Sequence, residues 1–246
     1  MSQRTTTAAL TLGLLATLGN LCPAQSAGKP PVETRIEGPN GLTELVRMQG
    51  PSDADVPLQV VCYFTKTATS DANLKGAPVE LDEHLGGLIG SLRDRGEFGG
   101  EALETILIDV PEGTIKPGRL LLIGLGDESS LSLERMEQVG RVALREAVKL
   151  GAVRVAFAPL IRDQGSTRIG TGDIETAVVR GMLLAYDTEK RLQAQGFAKP
   201  FTLETWIIEA GPSYYDETVK GVRKANQDVQ EAVTRRESKA YSRRTR

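Results

Sequence analysis

The sequence predicts an α/β domain, a mixed and mostly parallel sheet with helices on both faces. Two observations carry this. Segments with strand-like apolar patterning take turns with segments whose apolar residues recur at helical spacing. Several of the strand segments are apolar throughout, as strands covered on both faces must be. No internal repeat is present.

Residues 28–40 are rich in Pro, Gly and charge and read as a flexible leader. Residues 42–48 alternate apolar and polar side chains, the pattern of a half-buried strand. After a loop at 50–55, residues 56–65 become continuously apolar in their second half, which predicts a strand with both faces covered. The period then changes. Leu81, Leu85, Leu88, Ile89 and Leu92 predict one helix over 82–95, ended by Gly96, Gly99 and Gly100. Residues 105–110 form a strand and 111–113 a turn. Residues 119–125, the most apolar strand, belong at the centre of the sheet. Ser132 caps a second helix, with Leu133, Met136, Val139, Gly140, Ala143, Ala147 and Leu150 on its buried side and Gly151 at its end. Residues 153–158 are a short strand stopped by Pro159, followed by a polar loop over 162–172. The third helix covers 173–195, with Ile174, Ala177, Val178, Gly181, Met182, Ala185 and Tyr186 in one stripe. A last strand at 203–209 holds the only tryptophan, Trp206. A final amphipathic helix starts near Tyr215. These elements make one domain over 41–234, and a basic tail follows at 235–246.

The first residues read differently. Met1 to Arg4 carry one positive charge, residues 5–21 are mostly small and apolar, and Ala24-Gln25-Ser26 has small-x-small spacing. This is the pattern of a signal peptide over 1–27, in which Ala24 and Ser26 have the spacing that a signal peptidase reads and Ala24 and Ala27 are alternative cut points. The apolar run is too short and too rich in Thr and Gly to span a bilayer comfortably. A lipid anchor on Cys22 is opposed by Leu21 before it, where a small residue is expected. The expectation is an exported protein, periplasmic or secreted, with no stable membrane insertion once the signal is removed. Cys22 leaves with the signal, and Cys62 then stands alone in an apolar run, as a buried small hydrophobe does. A net charge of -2 and 4% aromatic residues give no footing for nucleic acid.

Three stretches, in order, resemble the N-terminal domain of the leucyl (cytosol) aminopeptidase family. They are LDEHLGGLIGSLRDRGEFGGEALETILI from Leu81, RLLLIGLGDESSLSLERMEQVG from Arg119, and IETAVVRGMLLAYDTEKRLQ from Ile174. The strand ending in Gly124-Leu125-Gly126, followed by a polar loop and a helix, is the most characteristic of them. Together they extend the resemblance over about residues 42–231. It implies a macro-like three-layer fold that carries no peptidase chemistry. In the family that chemistry belongs to a C-terminal domain. There a Lys, several Asp and a Glu hold two metal ions beside an Asn-Thr-Asp-Ala-Glu-Gly-Arg stretch. No such stretch occurs here, so the resemblance places no catalytic residue and no metal ligand on this sequence.

The residues on their own point the same way. The single histidine, His84, follows Asp82 and Glu83 directly, so the three side chains diverge around a helix and read as a solvated helix start. A Ser-His-Asp triad would need the same histidine, and no Gly-x-Ser-x-Gly elbow is present. No cofactor is expected. The one candidate for ligand binding is the loop of Gly124, Gly126, Asp127 and Ser129, since backbone N–H groups between a strand and a helix can cradle a phosphate. Ser129 stands where a dinucleotide fingerprint would have its third glycine, and the alternative is a tight turn. Thr171-Gly172-Asp173-Ile174 resembles a short macrodomain motif, with Thr171 or Asp173 read instead as a helix N-cap. The segment 220–246 carries nine Lys and Arg against three Asp and Glu, a solubilising end.

Three functions stay open at this stage. The first is a non-catalytic exported domain that binds an unidentified protein partner or small ligand. The second is a protein acting with a separate metal-binding catalytic chain. The third is a macro-like nucleotide or ADP-ribose binder.

Overall fold

The computed structural model describes residues 31–237. The expected signal peptide and residues 238–246 of the expected basic tail lie outside them. The strands are β1 (Glu33–Glu37), β2 (Thr43–Arg47), β3 (Leu58–Phe64), β4 (Thr105–Asp109), β5 (Arg119–Gly126), β6 (Arg154–Ala158) and β7 (Thr205–Glu209). They form one sheet in the order β1-β2-β7-β6-β3-β5-β4. The five inner strands run parallel, and β1 and β4 close the two edges antiparallel. The mixed, mostly parallel sheet is therefore as the sequence predicts.

Helices cover both faces. α4 (Leu133–Lys149), α5 (Thr171–Ala194) and α6 (Tyr215–Glu237) share one core with Val60, Cys62 and Phe64 of β3, Phe157 of β6 and Trp206 of β7. α1 (Ala68–Ala72), α2 (Ala77–His84) and α3 (Leu88–Asp94) follow β3 in the chain. On the face opposite the first core, Val61, Tyr63, Leu120 and Leu122 pack with Leu81 of α2, Ile89 of α3 and Phe98. Towards β7 a small cluster of Ala54, Val56, Ala156 and Ile207 shows the loop before β3, not a helix, covering the sheet.

α4 and α5 touch backbone to backbone. A β-carbon on Gly140 would lie 2.0 Å from the Val178 carbonyl oxygen, and one on Gly181 would lie 2.0 Å from that of Glu137. Only glycine permits this approach. The capping oxygen of Ser132 accepts from the Arg135 N–H at 3.2 Å, as expected of the α4 N-cap.

The structure corrects the sequence reading at five places. Residues 33–37, expected within a flexible leader, form β1, whose register pairs Glu33 with Arg47. That strand buries no residue fully. Its ties are the ladder, two Arg47-to-Glu33 hydrogen bonds of 3.0 and 2.8 Å, the Arg35-to-Thr43 and Thr34–Tyr215 hydrogen bonds of 2.9 Å each, and one partly buried side chain, Ile36, so its hydrophobic signature is a single residue. The single helix expected at 82–95 is two. Gly86 and Gly87, at φ 67° and 81°, break it, and the Asp82 carboxylate caps α3 by accepting from Ile89 N–H at 2.7 Å and Gly90 N–H at 3.1 Å. Asp82, Glu83 and His84 thus end one helix instead of starting it. β5 lies next to the edge strand β4, and β6 takes the middle. Burial of β5 needs two covered faces, which the two cores supply, and not the central position. Lastly, Gly170 is the α5 N-cap, while Thr171 is its first residue and Asp173 lies in its first turn.

Candidate functional site

A cavity of about 440 Å³ opens where β2, β7 and β6 end at their carboxyl termini and α5 begins. In sheets with parallel strands this edge is where loops leave the ladder and a ligand finds room. Met48 and Gly50 follow β2, Ala210 and Pro212 follow β7, and Pro159 to Asp163 follow β6. Ile174 and Glu175 look in from α5, and Thr218 from α6.

The wall after β6 is held unusually. β6 pairs with β3 only as far as Val61 opposite Ala158. Beyond that point the Gln164 side chain takes over. Its amide donates to the Cys62 carbonyl at 3.0 Å and accepts from the Phe64 N–H at 2.9 Å, as a neighbouring strand would. It also donates to the Leu160 carbonyl at 3.1 Å. Leu160 is held at φ 53°, in the left-handed region that non-glycine residues seldom occupy. Strain of this kind persists where surrounding contacts over-determine the chain, and it gathers at functional sites.

Two buried carboxyls face the cavity. Glu209 accepts from Gln49 Nε2 at 2.8 Å and from Gln59 Nε2 at 2.7 Å, one donor on each oxygen. Burial pushes it up to about 7, against those hydrogen bonds. Glu175 is 3% exposed, and its Oε2 has no hydrogen-bond partner among the described residues. Burial pushes it up to about 8, and the positive charge of Arg162 opposes that rise. Asp163, a third lining carboxyl, is also raised by burial, with Lys75 opposing. Arg162 turns its fork towards the chain. Nε donates to the Thr171 hydroxyl at 3.1 Å, Nη1 to the Ser166 carbonyl at 2.7 Å and Nη2 to the Ile169 carbonyl at 2.5 Å. The site is a largely apolar cleft whose three lining carboxyls burial raises above their usual range.

The residues singled out from sequence lie together elsewhere, at the end of β5, and do not line this cavity. Gly124 allows close packing, since a β-carbon there would fall 1.9 Å from the Glu101 carbonyl oxygen. The N–H groups of Gly124 and Gly126 are spent on the carbonyls of Glu104 and Gly100, at 2.8 and 3.0 Å. The Asp127 carboxylate accepts from the Ser129 N–H at 2.7 Å and its hydroxyl at 2.5 Å, which holds that carboxyl below its usual range. Cys62 is fully buried and its thiol is pushed up by burial, as befits a core residue. Among the described residues no three His, Cys, Asp or Glu side chains gather as metal ligands. No helix among them is long and apolar enough to cross a membrane.

Sequence reasoning missed Glu175, Glu209, Gln59 and Arg162. A signal was present for two of them. Gln59 interrupts an otherwise apolar strand, and Glu175 follows Ile174 in the helix that supplies the central core stripe. A polar residue at a core position needs a partner or a purpose.

Relatives share this framework. The family model described as the cytosol aminopeptidase family, N-terminal domain, matches residues 60–194. Over 104 residues the sequence is 33% identical to a probable cytosol aminopeptidase of Roseiflexus castenholzii, covering 42% of this chain and 20% of that protein's length. A mutant of tomato leucine aminopeptidase superposes with a TM-score of 0.58 at 20% identity, over 83% of this chain and 39% of that one. The Oceanobacillus iheyensis macrodomain with ADP superposes at 0.54 and 9% identity, over 82% of this chain and all of the other. At such identities the two structures speak for the fold, which is macro-like. The family match begins within β3 and ends within α5, so Glu209 and the ends of β2 and β7 lie outside it.

Proposed function

Since this chain belongs to the cytosol aminopeptidase family through its N-terminal domain, we propose that it is an exported, non-catalytic domain that binds a small ligand at the carboxyl edge of its sheet. The cavity beside Glu175 is the observation that carries this reading. Its volume lies in the range of sites that enclose small molecules, and its lining joins apolar side chains to a few convergent polar groups. Export rests on the charged start, the apolar run and the small-x-small spacing of residues 1–27.

Two measurements test it. NMR titration of the purified mature protein against a library of small polar molecules should move the methyl signals of Leu160, Ile161 and Ile174. A library that leaves those signals in place removes the cavity from the function. Amino-terminal sequencing of the protein from its native cell should begin near residue 25 or 28. A chain that still starts at Met1 in the cytoplasmic fraction overturns export.

A second reading takes the chain as a helper to a metal-binding catalytic chain. It draws on the relative named as an aminopeptidase, of which this chain spans one fifth. Recovery of such a chain by pull-down from the native cell, with leucyl-substrate turnover in the complex, would favour it. A nucleotide fits less well. Its phosphates would meet Glu175, Glu209 and Asp163, and the Arg162 fork is already turned to carbonyls.

A further inference from the structure

The lining of the cavity is unequal in charge. Asp163, Glu175 and Glu209 line it with one basic residue, Arg162, while Lys75 acts on Asp163 and Arg47 on Glu209 from outside the lining, and Arg162 has three of its N–H groups engaged by the chain. Glu209 is also committed, with one glutamine amide on each oxygen. Of the three carboxyls, Glu175 is the one with a buried oxygen, Oε2, left without a partner, in a residue that is 3% exposed. A buried polar atom without a partner is costly, and a carboxyl in the wall of a cavity can turn to meet a donor that fills it. Much of the remaining lining is apolar, with Met48, Pro51, Leu160, Ile161, Ile174 and Pro212. Its uncharged polar members are Gln49, Thr171, Tyr214 and Thr218.

A fitting occupant donates at one point, offsets negative charge there and is otherwise apolar. We propose that this cavity selects a primary ammonium carried on an apolar body, with the Glu175 carboxylate as its acceptor. The inference rests on the ligand-binding reading above and names the chemistry of that site. The ammonium replaces a missing hydrogen bond with a charge-assisted one, which is the stronger kind. The apolar body covers the aliphatic wall and is released from water. Burial holds Glu175 as the neutral acid near pH 7, so binding of the ammonium releases that proton to water and leaves the carboxylate paired with the cation. An anion of the same shape gains no such pair, and a neutral alcohol supplies no counter-charge to the carboxylate.

The test compares isoamylamine, isoamyl alcohol and isovalerate, three molecules of matching shape and different charge. NMR titration follows the methyl groups of Ile161 and Ile174. The amine is expected to bind at least about ten-fold more tightly than the other two, a margin of about 1.4 kcal/mol. Glu175→Gln, which has the shape of the protonated glutamic acid, is expected to erase that margin. The ligand series on the unaltered protein remains decisive even where the variant fails to fold. Equal or tighter binding of the alcohol or of isovalerate at the same methyls overturns ammonium selection and leaves the cavity as a binding site. An unchanged margin in a folded Glu175→Gln protein also overturns it. Silence of the methyls towards all three ligands overturns this proposal, and silence towards the broader library as well removes the ligand-binding reading beneath it.

Discussion

Gly140 of α4 lies against Val178 of α5 so closely that a β-carbon on the glycine would stand 2.0 Å from the Val178 carbonyl oxygen. The helices cannot retreat freely, because Val139, Ala143, Val178 and Met182 beside the crossing are buried in the same core. Gly140→Ala should therefore cost about 1–3 kcal/mol, as overpacking does, despite the better helix propensity of alanine. Thermal melting should show a loss of several degrees. A melting temperature equal to or above that of the parent would show that the contact is looser than described.

The end of α2 supports the start of α3 through one side chain. Asp82 accepts two N–H groups of α3. Asp82→Ala should destabilise the protein by about 1–2 kcal/mol, and Asp82→Asn by less, since asparagine still caps. Urea denaturation measures both. Equal losses for the two variants would assign the effect to something other than capping.

Three glutamates make stability depend on pH. Burial raises Glu44 and Glu175 to about 8 and Glu209 to about 7, from 4.5. Between about pH 4.5 and 8 the folded chain keeps protons that the unfolded chain has released. Stability therefore falls as pH rises through that window. Each ten-fold gain in proton affinity on folding corresponds to about 1.4 kcal/mol. Melting temperature should decline from about pH 5 to about pH 8, and Glu44→Gln should shallow the decline while keeping an acceptor for Asn226. A melting temperature that climbs over this range contradicts the protonated state of these groups.

Arg162 opposes the proton affinity of Glu175 and ties the chain from Ser166 to Thr171. Arg162→Gln should raise the pH at which Glu175 titrates, read from its carboxyl carbon by NMR. It should also speed amide exchange in residues 162–171. Titration at the same or lower pH would mean that the guanidinium charge does not reach Glu175.

The fold was more legible than the site, for physical reasons. Runs such as Val60 to Phe64 and the stripe from Ile174 to Tyr186 report burial directly, because patterning follows the faces a segment covers. β1 escaped notice because its ladder and its Arg47–Glu33 pair involve no apolar run. The split at Gly86 and Gly87 was masked by leucines that keep helical spacing across the break. The cavity could not be read because it joins the ends of β2, β6 and β7, at Arg47, Ala158 and Glu209, which are far apart in sequence and adjacent only through the strand order. The Gly124-Leu125-Gly126 run drew attention locally, yet its backbone groups are used to seat the segment at Gly100 to Glu104.

Gln164 gives the cavity wall a kind of independence. A backbone ladder ties the path of a loop to the length and phase of a strand, so its outline cannot change without disturbing the sheet. A side-chain amide docked on Cys62 and Phe64 asks only that one glutamine arrive at one place. The residues between Pro159 and Asp163 keep their own constraints, the burial of Leu160 and Ile161 and the three hydrogen bonds of Arg162, but none of these passes through the strand ladder. The outline of the wall is thereby set by side chains, one residue at a time, and the sheet beneath is indifferent to it.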